Sequence, residues 1–214
     1  MKHIDLMIFD LDGTLVNSGE DIVTSVNHTL KALDISTKIS EEILGFVGDG
    51  VQKLIERSLG KDFQHLFNDA IGIFSAYYAE HMLDTTSLCD SVIEIMEHFH
   101  DKKKVIITNK RKYFTLEITK ALGISKYFDE IIGSDSTEYK KPDQRLLLPL
   151  LEKFSAKYSD TVVIGDGVND IMLAGNAGVL SCALLNGLTG RDILLNLNPD
   201  FACEDLSELI RIFR

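Results

Sequence analysis

Short apolar runs alternate with helical stripes along most of this chain, and that alternation restricts the fold more than any other feature. The first run, residues 4–9, is rich in Ile, Leu and Phe and predicts a buried parallel strand. Later runs predict further strands at 104–108, 131–132, 161–164 and 180–185, and a last strand and helix within 201–213. Helices are expected between them, at 92–99, 112–122, 143–155 and 169–177. Strands that alternate with helices indicate an α/β fold with a doubly wound parallel sheet.

The interval between the first two strands has a different pattern. Residues 20–83 contain no convincing strand, and their apolar residues recur at helical spacing, as in the stripe from Ile22 to Leu33. An insert of this length is close to the size at which a separate core can form. We therefore expect a core domain formed by residues 1–16 and 88–214, and an inserted all-helical cap domain formed by residues 17–87.

One proline falls inside a predicted helix. Pro149 lies within the helical pattern of residues 143–155. Proline lacks the backbone N–H and its ring clashes with the preceding turn, so it kinks or ends a helix. We expect a kink or a break there.

Composition excludes several classes of partner. The net charge of −11 disfavours binding to nucleic acid and to anionic membrane surfaces. No segment has the pattern of a signal peptide, and no apolar run is long enough to cross a bilayer. The three cysteines lack zinc-ligand spacing, and we expect all three to be buried in a reducing compartment. These features predict a cytoplasmic protein. A monomer or a homodimer is expected, and the sequence does not decide between the two.

Two carboxylates follow the first strand. Asp10 and Asp12 are separated by one residue, so both can face one spot at the end of an extended chain. Gly13 allows a sharp turn, and the amides that follow, with Thr14, could form a nest for a phosphate. Two acids repel an anion unless a cation lies between them, and Mg²⁺ prefers such oxygen ligands. The alternative interpretation is a solvated turn with acids at its edge.

Other polar residues occur at equivalent places. Thr108 and Asp166 each end a predicted strand, as Asp10 does, and Lys141 lies in the loop after the third strand. Ligands of open α/β sheets bind beyond the carboxyl ends of the strands. The sequence therefore predicts that these four residues form one site.

Four motifs in this order resemble those of the haloacid dehalogenase superfamily, whose Rossmann-type core carries a cap inserted after the first motif. They are Asp10-Leu11-Asp12-Gly13-Thr14, Thr108-Asn109, Lys141-Pro142 and Gly165-Asp166-Gly167-Val168-Asn169-Asp170. The resemblance covers the whole chain. Within the superfamily, the chain is similar to the phosphoglycolate phosphatase group through Ser18, Thr108-Asn109-Lys110 and the cap stretch Gly48-Asp49-Gly50 followed by Leu54 and Arg57.

The resemblance implies a role for each acid. Asp10 would be the nucleophile that attacks phosphorus to form an aspartyl-phosphate. Asp12 would protonate the leaving oxygen and then activate water, and it would also supply a metal ligand through its backbone carbonyl. Asp166 would bind the metal with Asp10. Asp170 would be either a further ligand or an acid that orients Lys141 or a metal-bound water.

The remaining candidates bind the substrate or balance charge. The Thr108 hydroxyl and the Asn109 amide would donate to a phosphate oxygen, together with Gly13 and Thr14. Lys141 would neutralise charge between Asp10 and the phosphate. Arg57 is a candidate substrate contact from the cap. Each has a structural alternative: a strand-end threonine, a solvated lysine or an exposed helical arginine.

The resemblance implies a magnesium-dependent phosphatase that hydrolyses a small phosphorylated metabolite, with phosphoglycolate as the leading candidate substrate. A second hypothesis is a phosphomutase of the β-phosphoglucomutase kind, which passes the same phosphoryl group to a sugar. A third is a non-catalytic phospho-acceptor module like a response-regulator receiver. Receivers, however, are much shorter and lack a helical insert after the first strand.

Overall fold

A six-stranded parallel sheet forms the centre of the computed structural model, which describes residues 1–214. The chain has eight strands: β1 (Leu6–Phe9), β2 (Val16–Asn17), β3 (Ser87–Leu88), β4 (Lys103–Ile107), β5 (Glu130–Ile132), β6 (Thr161–Gly165), β7 (Leu180–Leu184) and β8 (Phe201–Cys203). The sheet order is β5-β4-β1-β6-β7-β8, and every neighbouring pair is parallel. The chain runs outward from β1 on both sides, so the prediction of a doubly wound sheet is confirmed.

Ten α-helices accompany these strands: α1 (Gly19–Ala32), α2 (Ser40–Leu44), α3 (Val51–Leu59), α4 (Phe67–His81), α5 (Val92–His98), α6 (Lys112–Ala121), α7 (Leu148–Phe154), α8 (Val168–Ala177), α9 (Arg191–Leu195) and α10 (Leu209–Ile212). None of them is both long enough and apolar enough to span a bilayer.

Both faces of β1 are covered. Leu6 and Ile8 pack with apolar side chains of α7 and α8. Met7 and Phe9 point to the opposite face and pack in the larger cluster with residues of α5, α6 and α10. Because successive strand residues face opposite sides, a strand covered on both faces needs an unbroken apolar run. Each such side chain contributes about 1.5–3 kcal/mol by its burial.

Helices α1–α4 occupy the whole interval between β2 and β3, and no strand occurs within it. Strands β2 and β3 pair antiparallel, with Val16 opposite Leu88 and Asn17 opposite Ser87. This two-stranded ribbon joins the helical insert to the sheet. The absence of strands from residues 20–83 agrees with the sequence pattern, while the division into core and cap domains stays a prediction.

Two local expectations have different outcomes. The helical pattern over residues 143–155 is broken: a short 3₁₀ turn covers Gln144–Leu146, and α7 begins at Leu148 with Pro149 in its first turn. Proline is tolerated there because the first helical N–H groups have no intrahelical partner. The expectation that all three cysteines are buried is wrong for Cys89, which is partly exposed because it lies next to the ribbon.

A buried carboxylate fastens the two connections of the insert to each other. Asp21, in the first turn of α1, accepts hydrogen bonds from the backbone N–H and the hydroxyl of both Thr85 and Thr86. Burial opposes ionisation of Asp21, but these donors outweigh it and hold the pKa of the carboxyl below its usual value. Asp21 therefore ties the chain entering the insert to the chain leaving it.

Replacing this carboxylate should destabilise the protein in a pH-dependent way. We expect Asp21→Asn to lower the free energy of unfolding at pH 7 by about 1.5–3 kcal/mol, the usual contribution of hydrogen bonds to a charged group. Because the folded-state pKa is depressed, the contribution is complete above pH about 4 and is lost as the pH falls below that value. Urea denaturation at pH 7 and at pH 3 measures both effects.

The exposed Asp62 gives a matched control, since its side chain has no hydrogen bond or ion pair. Asp62→Asn should leave the free energy of unfolding unchanged within about 0.5 kcal/mol. If the free energy of unfolding at pH 7 falls equally in Asp21→Asn and Asp62→Asn, the Asp21 hydrogen bonds contribute no specific stability.

Candidate active site

The carboxyl ends of three adjacent strands carry the predicted residues to one place. Asp10 follows β1, Thr108 follows β4 and Asp166 follows β6, and β1 pairs with both of the other strands. Lys141 reaches the same place from the loop after β5. All four side chains line one cavity of about 250 Å³ that lies between the sheet and the helical insert.

Three buried carboxylates meet at this cavity. Oxygens of Asp10, Asp166 and Asp170 all lie within 4.8 Å of one another. Burial raises the pKa of Asp166 to about 6, and the neighbouring Asp10 carboxylate adds to the effect. Burial and Asp10 likewise raise the pKa of Asp170, to about 7. The cluster therefore holds more negative charge than its protein surroundings balance.

Lys141 supplies the one ammonium group in the cluster. Its Nζ lies 2.8 Å from Asp10 Oδ1 and 2.6 Å from Asp170 Oδ1, and its side chain is only 2% exposed. Burial alone would lower the pKa of Lys141, but the two carboxylates raise it above its usual value. Lys141 is therefore charged, and it separates Asp10 from Asp170.

The donor set fits a hard divalent cation. One ammonium cannot balance three clustered carboxylates, and carboxylate oxygens are the ligands that Mg²⁺ prefers. Lys141 contacts only one oxygen of Asp10 and one oxygen of Asp170. A carboxylate has about four lone-pair sites, so each of the three acids keeps acceptor capacity for an ion. Asp10, Asp166 and Asp170 are thus the side chains that could hold the ion. The Asp12 carboxyl lies outside this group, and a ligand role for the Asp12 backbone carbonyl stays a prediction.

Asp12 is held by two groups that the sequence analysis did not assign. Lys110 Nζ lies 2.7 Å from Asp12 Oδ1, and the Ser18 hydroxyl donates to the same oxygen at 2.5 Å. The Asp12 and Lys110 side chains are 12% and 8% exposed, so this ion pair is shielded from water. The contacts fix the carboxyl beside the Asp10 site.

The structure corrects the expected roles of Gly13 and Thr14. Their amides donate to the backbone carbonyls of Val16 and Leu11, so they do not form the predicted phosphate nest. Neither residue lines the cavity. The Gly13 φ of +82° confirms the predicted turn, and that turn satisfies the amides internally. The Thr14 hydroxyl donates to Asp166 Oδ1 at 2.7 Å and accepts from the Asp166 N–H, so it orients an acid instead.

A loop after β7 completes the support of Asp166. The Leu188 N–H donates to Asp166 Oδ2 at 2.8 Å. A Cβ atom on Gly187 would lie 2.1 Å from the Cβ of Asp166, so only glycine fits against this acid. The sequence analysis missed both residues, because a single glycine in a loop carries no signal of what it packs against.

The side chain of Asn109 holds the loops around the cavity together. Its Oδ1 accepts from the Lys141 N–H at 3.1 Å, and its Nδ2 donates to the Lys141 carbonyl and to the Gly48 carbonyl of the insert. The side-chain amide of Asn109 is thus engaged with protein, and a contact of the Asn109 backbone amide with phosphate stays a prediction. Thr108 is buried at the cavity, where its hydroxyl oxygen accepts from the Lys110 N–H.

The insert contacts the core through a short loop, residues 45–50. Asn169 Nδ2 donates to Asp49 Oδ1 at 2.6 Å, and Arg57 lies 2.5 Å from Asp49 Oδ2. Burial of Asp49 is outweighed by Asn169 and Arg57, which together lower its pKa. Arg57 lines the cavity, and its side chain is 40% exposed. The contact between Asn169 and Asp49 was missed, although both residues lie in the stretches that carry the family resemblance.

Comparisons with known proteins agree with this architecture. The family model described as haloacid dehalogenase-like hydrolase matches residues 7–184. The chain is 33% identical to a phosphoglycolate phosphatase of Vibrio parahaemolyticus, over 99% of this chain and 96% of that protein. It is also 33% identical to a phosphoglycolate phosphatase of Colwellia psychrerythraea, over 98% of this chain and 97% of the relative. The crystal structure of a predicted phosphoglycolate phosphatase from Haemophilus somnus 129PT has a TM-score of 0.93 at 27% identity and covers 99% of each chain.

Adding one methyl group to the loop after β7 should disturb the acid cluster. Gly187→Ala places its Cβ against Asp166, so we expect at least about a tenfold loss of Mg²⁺ affinity, as for other groups that orient metal ligands. Isothermal titration calorimetry with Mg²⁺ measures this change.

Gly175→Ala provides the control, because a Cβ there meets no atom within 4 Å. This second variant should bind Mg²⁺ like the wild type and gain up to about 1 kcal/mol of stability from helix propensity. Unchanged Mg²⁺ affinity in the folded Gly187→Ala protein would contradict the orienting role of this loop.

Proposed function

The chain belongs to the haloacid dehalogenase-like hydrolases, as its four motifs indicated, and on that premise we propose that it is a magnesium-dependent phosphomonoesterase. The chain is a phosphatase, and its substrate in this proposal is a small phosphorylated metabolite, with phosphoglycolate as the leading candidate. One observation carries the proposal: Lys141 lies between Asp10 and Asp170, with Asp166 beside them at the end of the next strand.

In the first step, a carboxylate oxygen of Asp10 attacks phosphorus. The new bond joins Asp10 to the phosphoryl group, and the bond from phosphorus to the leaving oxygen breaks. Asp12 enters this step protonated and donates its proton to that oxygen, which leaves as an alcohol, and the resulting Asp12 carboxylate pairs with Lys110. Lys110 and Ser18 hold Asp12 in place for this transfer. The products are an aspartyl-phosphate on Asp10 and the free alcohol.

In the second step, Asp12 takes a proton from water, and the water oxygen attacks phosphorus. The bond between phosphorus and Asp10 breaks, so inorganic phosphate is released and the Asp10 carboxylate is restored. Lys141 balances negative charge on Asp10 and on the phosphoryl oxygens in both steps. Thr108 lies at the cavity wall, where its hydroxyl can donate to a phosphoryl oxygen.

Mg²⁺ would be held by Asp10, Asp166 and either Asp170 or a water that it orients. When bound, the ion supplies positive charge that lets an anionic nucleophile approach a phosphate dianion. The raised pKa values of Asp166 and Asp170 support this proposal, since both reflect negative charge that a cation would balance.

We propose that residues 17–87 act as a cap domain whose loop at 45–50 closes the cavity. Three contacts between the core and this loop support the proposal: Asn109 and Asn169 both donate to Gly48, and Asn169 also donates to Asp49. Arg57 holds Asp49 from within the insert. Closure of such a cap excludes water, which strengthens the electrostatic interactions inside the site.

Phosphate release from phosphoglycolate in the presence of Mg²⁺ tests the function. We expect hydrolysis that stops when the ion is chelated, and a loss of at least about 10³-fold in kcat for Asp10→Asn, which lacks the nucleophile. A malachite green assay over a panel of phosphorylated metabolites, with phosphoglycolate included, measures both.

Asp34→Asn is the matched control: Asp34 is exposed and has a φ of +57°, a conformation that asparagine also adopts. It should retain full activity. Sugar-phosphate isomerisation with slow hydrolysis would instead identify a mutase, and a long-lived phospho-Asp10 without turnover would identify a phospho-acceptor module.

Removal of the Asp49 carboxylate tests the cap contact. We expect Asp49→Ala to speed hydrogen exchange of the amides of residues 45–50 by about tenfold, because charge-assisted bonds to Asn169 and Arg57 are lost. Mass spectrometry of exchanged peptides measures this rate. Glu41→Ala, at an exposed site of α2 without a side-chain partner, should leave it unchanged. Equal exchange in all three proteins would show that Asp49 does not hold the loop.

A further inference from the structure

The Tyr78 hydroxyl lies in the wall of the cavity beside the Lys110 ammonium, and its O–H finds no acceptor. Tyr78 is 1% exposed, the hydroxyl oxygen lies within reach of a Lys110 N–H, and no oxygen or nitrogen atom of the protein accepts from the hydroxyl. Its ring is fixed by a stacking contact with Phe74 and an edge contact with Phe114. A buried hydroxyl without a partner is costly, so a rigid donor of this kind indicates a missing acceptor.

Lys110 provides a second donor on the same wall. Its Nζ lies 4.9 Å from the centre of the Tyr78 ring and 2.7 Å from Asp12 Oδ1. An ammonium group has three N–H donors, of which Asp12 accepts one and the Tyr78 oxygen lies within reach of another. The wall therefore presents one unused N–H of a buried cation next to the unused O–H of Tyr78, and this combination suits an anionic oxygen acceptor.

Lys110 and Tyr78 lie close to the place where the leaving oxygen would be protonated. In the proposed mechanism Asp12 delivers a proton to the leaving oxygen, and Lys110 is one hydrogen bond away from Asp12. A group attached through one carbon to the leaving oxygen would therefore lie next to Lys110. Phe74 and Phe114 line the same cavity, and their apolar rings suit contact with a linking carbon.

We propose that Lys110 and Tyr78 form the subsite that binds a carboxylate carried by the leaving group, next to the ester oxygen. This inference rests on the proposed function and deepens it, because it assigns the two residues that would recognise the carboxylate of phosphoglycolate. The two arginines at the cavity suit this task less. Arg57 is engaged by Asp49, and Arg111 is only half buried and contacts none of the acids.

A pair of substrates that differ only in the distal group isolates this subsite. Phosphoglycolate carries a carboxylate where 2-hydroxyethyl phosphate carries a neutral CH₂OH group. We expect Lys110→Met to lower kcat/KM for phosphoglycolate about 100-fold more than for 2-hydroxyethyl phosphate, because one charge-assisted contact is lost. Tyr78→Phe should lower kcat/KM for phosphoglycolate about tenfold more than for 2-hydroxyethyl phosphate, since it removes only the hydroxyl.

Three control variants separate the possible explanations. Lys112→Met removes an exposed lysine of α6 and should leave kcat/KM unchanged for both substrates. If Lys110→Met lowers kcat/KM for both substrates by the same factor, Lys110 only positions Asp12 and the proposal is wrong. If Arg57→Met or Arg111→Met gives the selective loss instead, the carboxylate binds elsewhere and the proposal is equally wrong.

Binding to the Asp10→Asn protein tests the subsite without turnover. Calorimetry with phosphoglycolate and Mg²⁺ should show weaker binding after Lys110→Met in this background, with little change for 2-hydroxyethyl phosphate. A wild type that releases no phosphate from either ester refutes the proposed function, but selective binding in this experiment would still support the subsite. Equal affinity for the two esters, before and after Lys110→Met, overturns it.

Discussion

The ammonium of Lys141 lies between two buried carboxylates, and the rest of the site depends on this contact. Asp10, Asp166 and Asp170 would repel one another at the edge of a hydrophobic sheet if no cation separated them. Lys141 reduces that repulsion within the protein, yet leaves the cluster with excess negative charge. This excess negative charge is what a bound divalent cation would balance in the proposed mechanism.

Several residues outside the cluster maintain this arrangement. Thr14, Gly187 and Leu188 fix Asp166, while Asn109 fixes the backbone on both sides of the Lys141 peptide unit. These supporting groups come from loops that are distant in sequence and meet only because β1, β4, β6 and β7 lie close together in the sheet. Buried acids retain their geometry only when such neighbours leave them no other arrangement.

The fold was largely predictable because its signals are local. The unbroken apolar run at β1 indicated a strand covered on both faces, and the helical spacing of residues 20–83 indicated an insert without strands. Pro149 marked the start of α7 for a steric reason that acts within one turn. The prediction of a phosphate nest at Gly13 and Thr14 was wrong, because their amides donate to carbonyls of their own turn. The sequence does not reveal which acceptor a turn amide will find.

By itself, the sequence determined which chemical groups stand at the strand ends, because strand length and residue order place Asp10, Thr108 and Asp166 there wherever the sheet forms. Only the tertiary structure decided which of those groups touch. Lys110 pairs with Asp12 across 98 residues, and Asn169 meets Asp49 across 120. Contacts of that kind depend on how loops pack in three dimensions, and neither periodicity nor spacing along the chain records that packing.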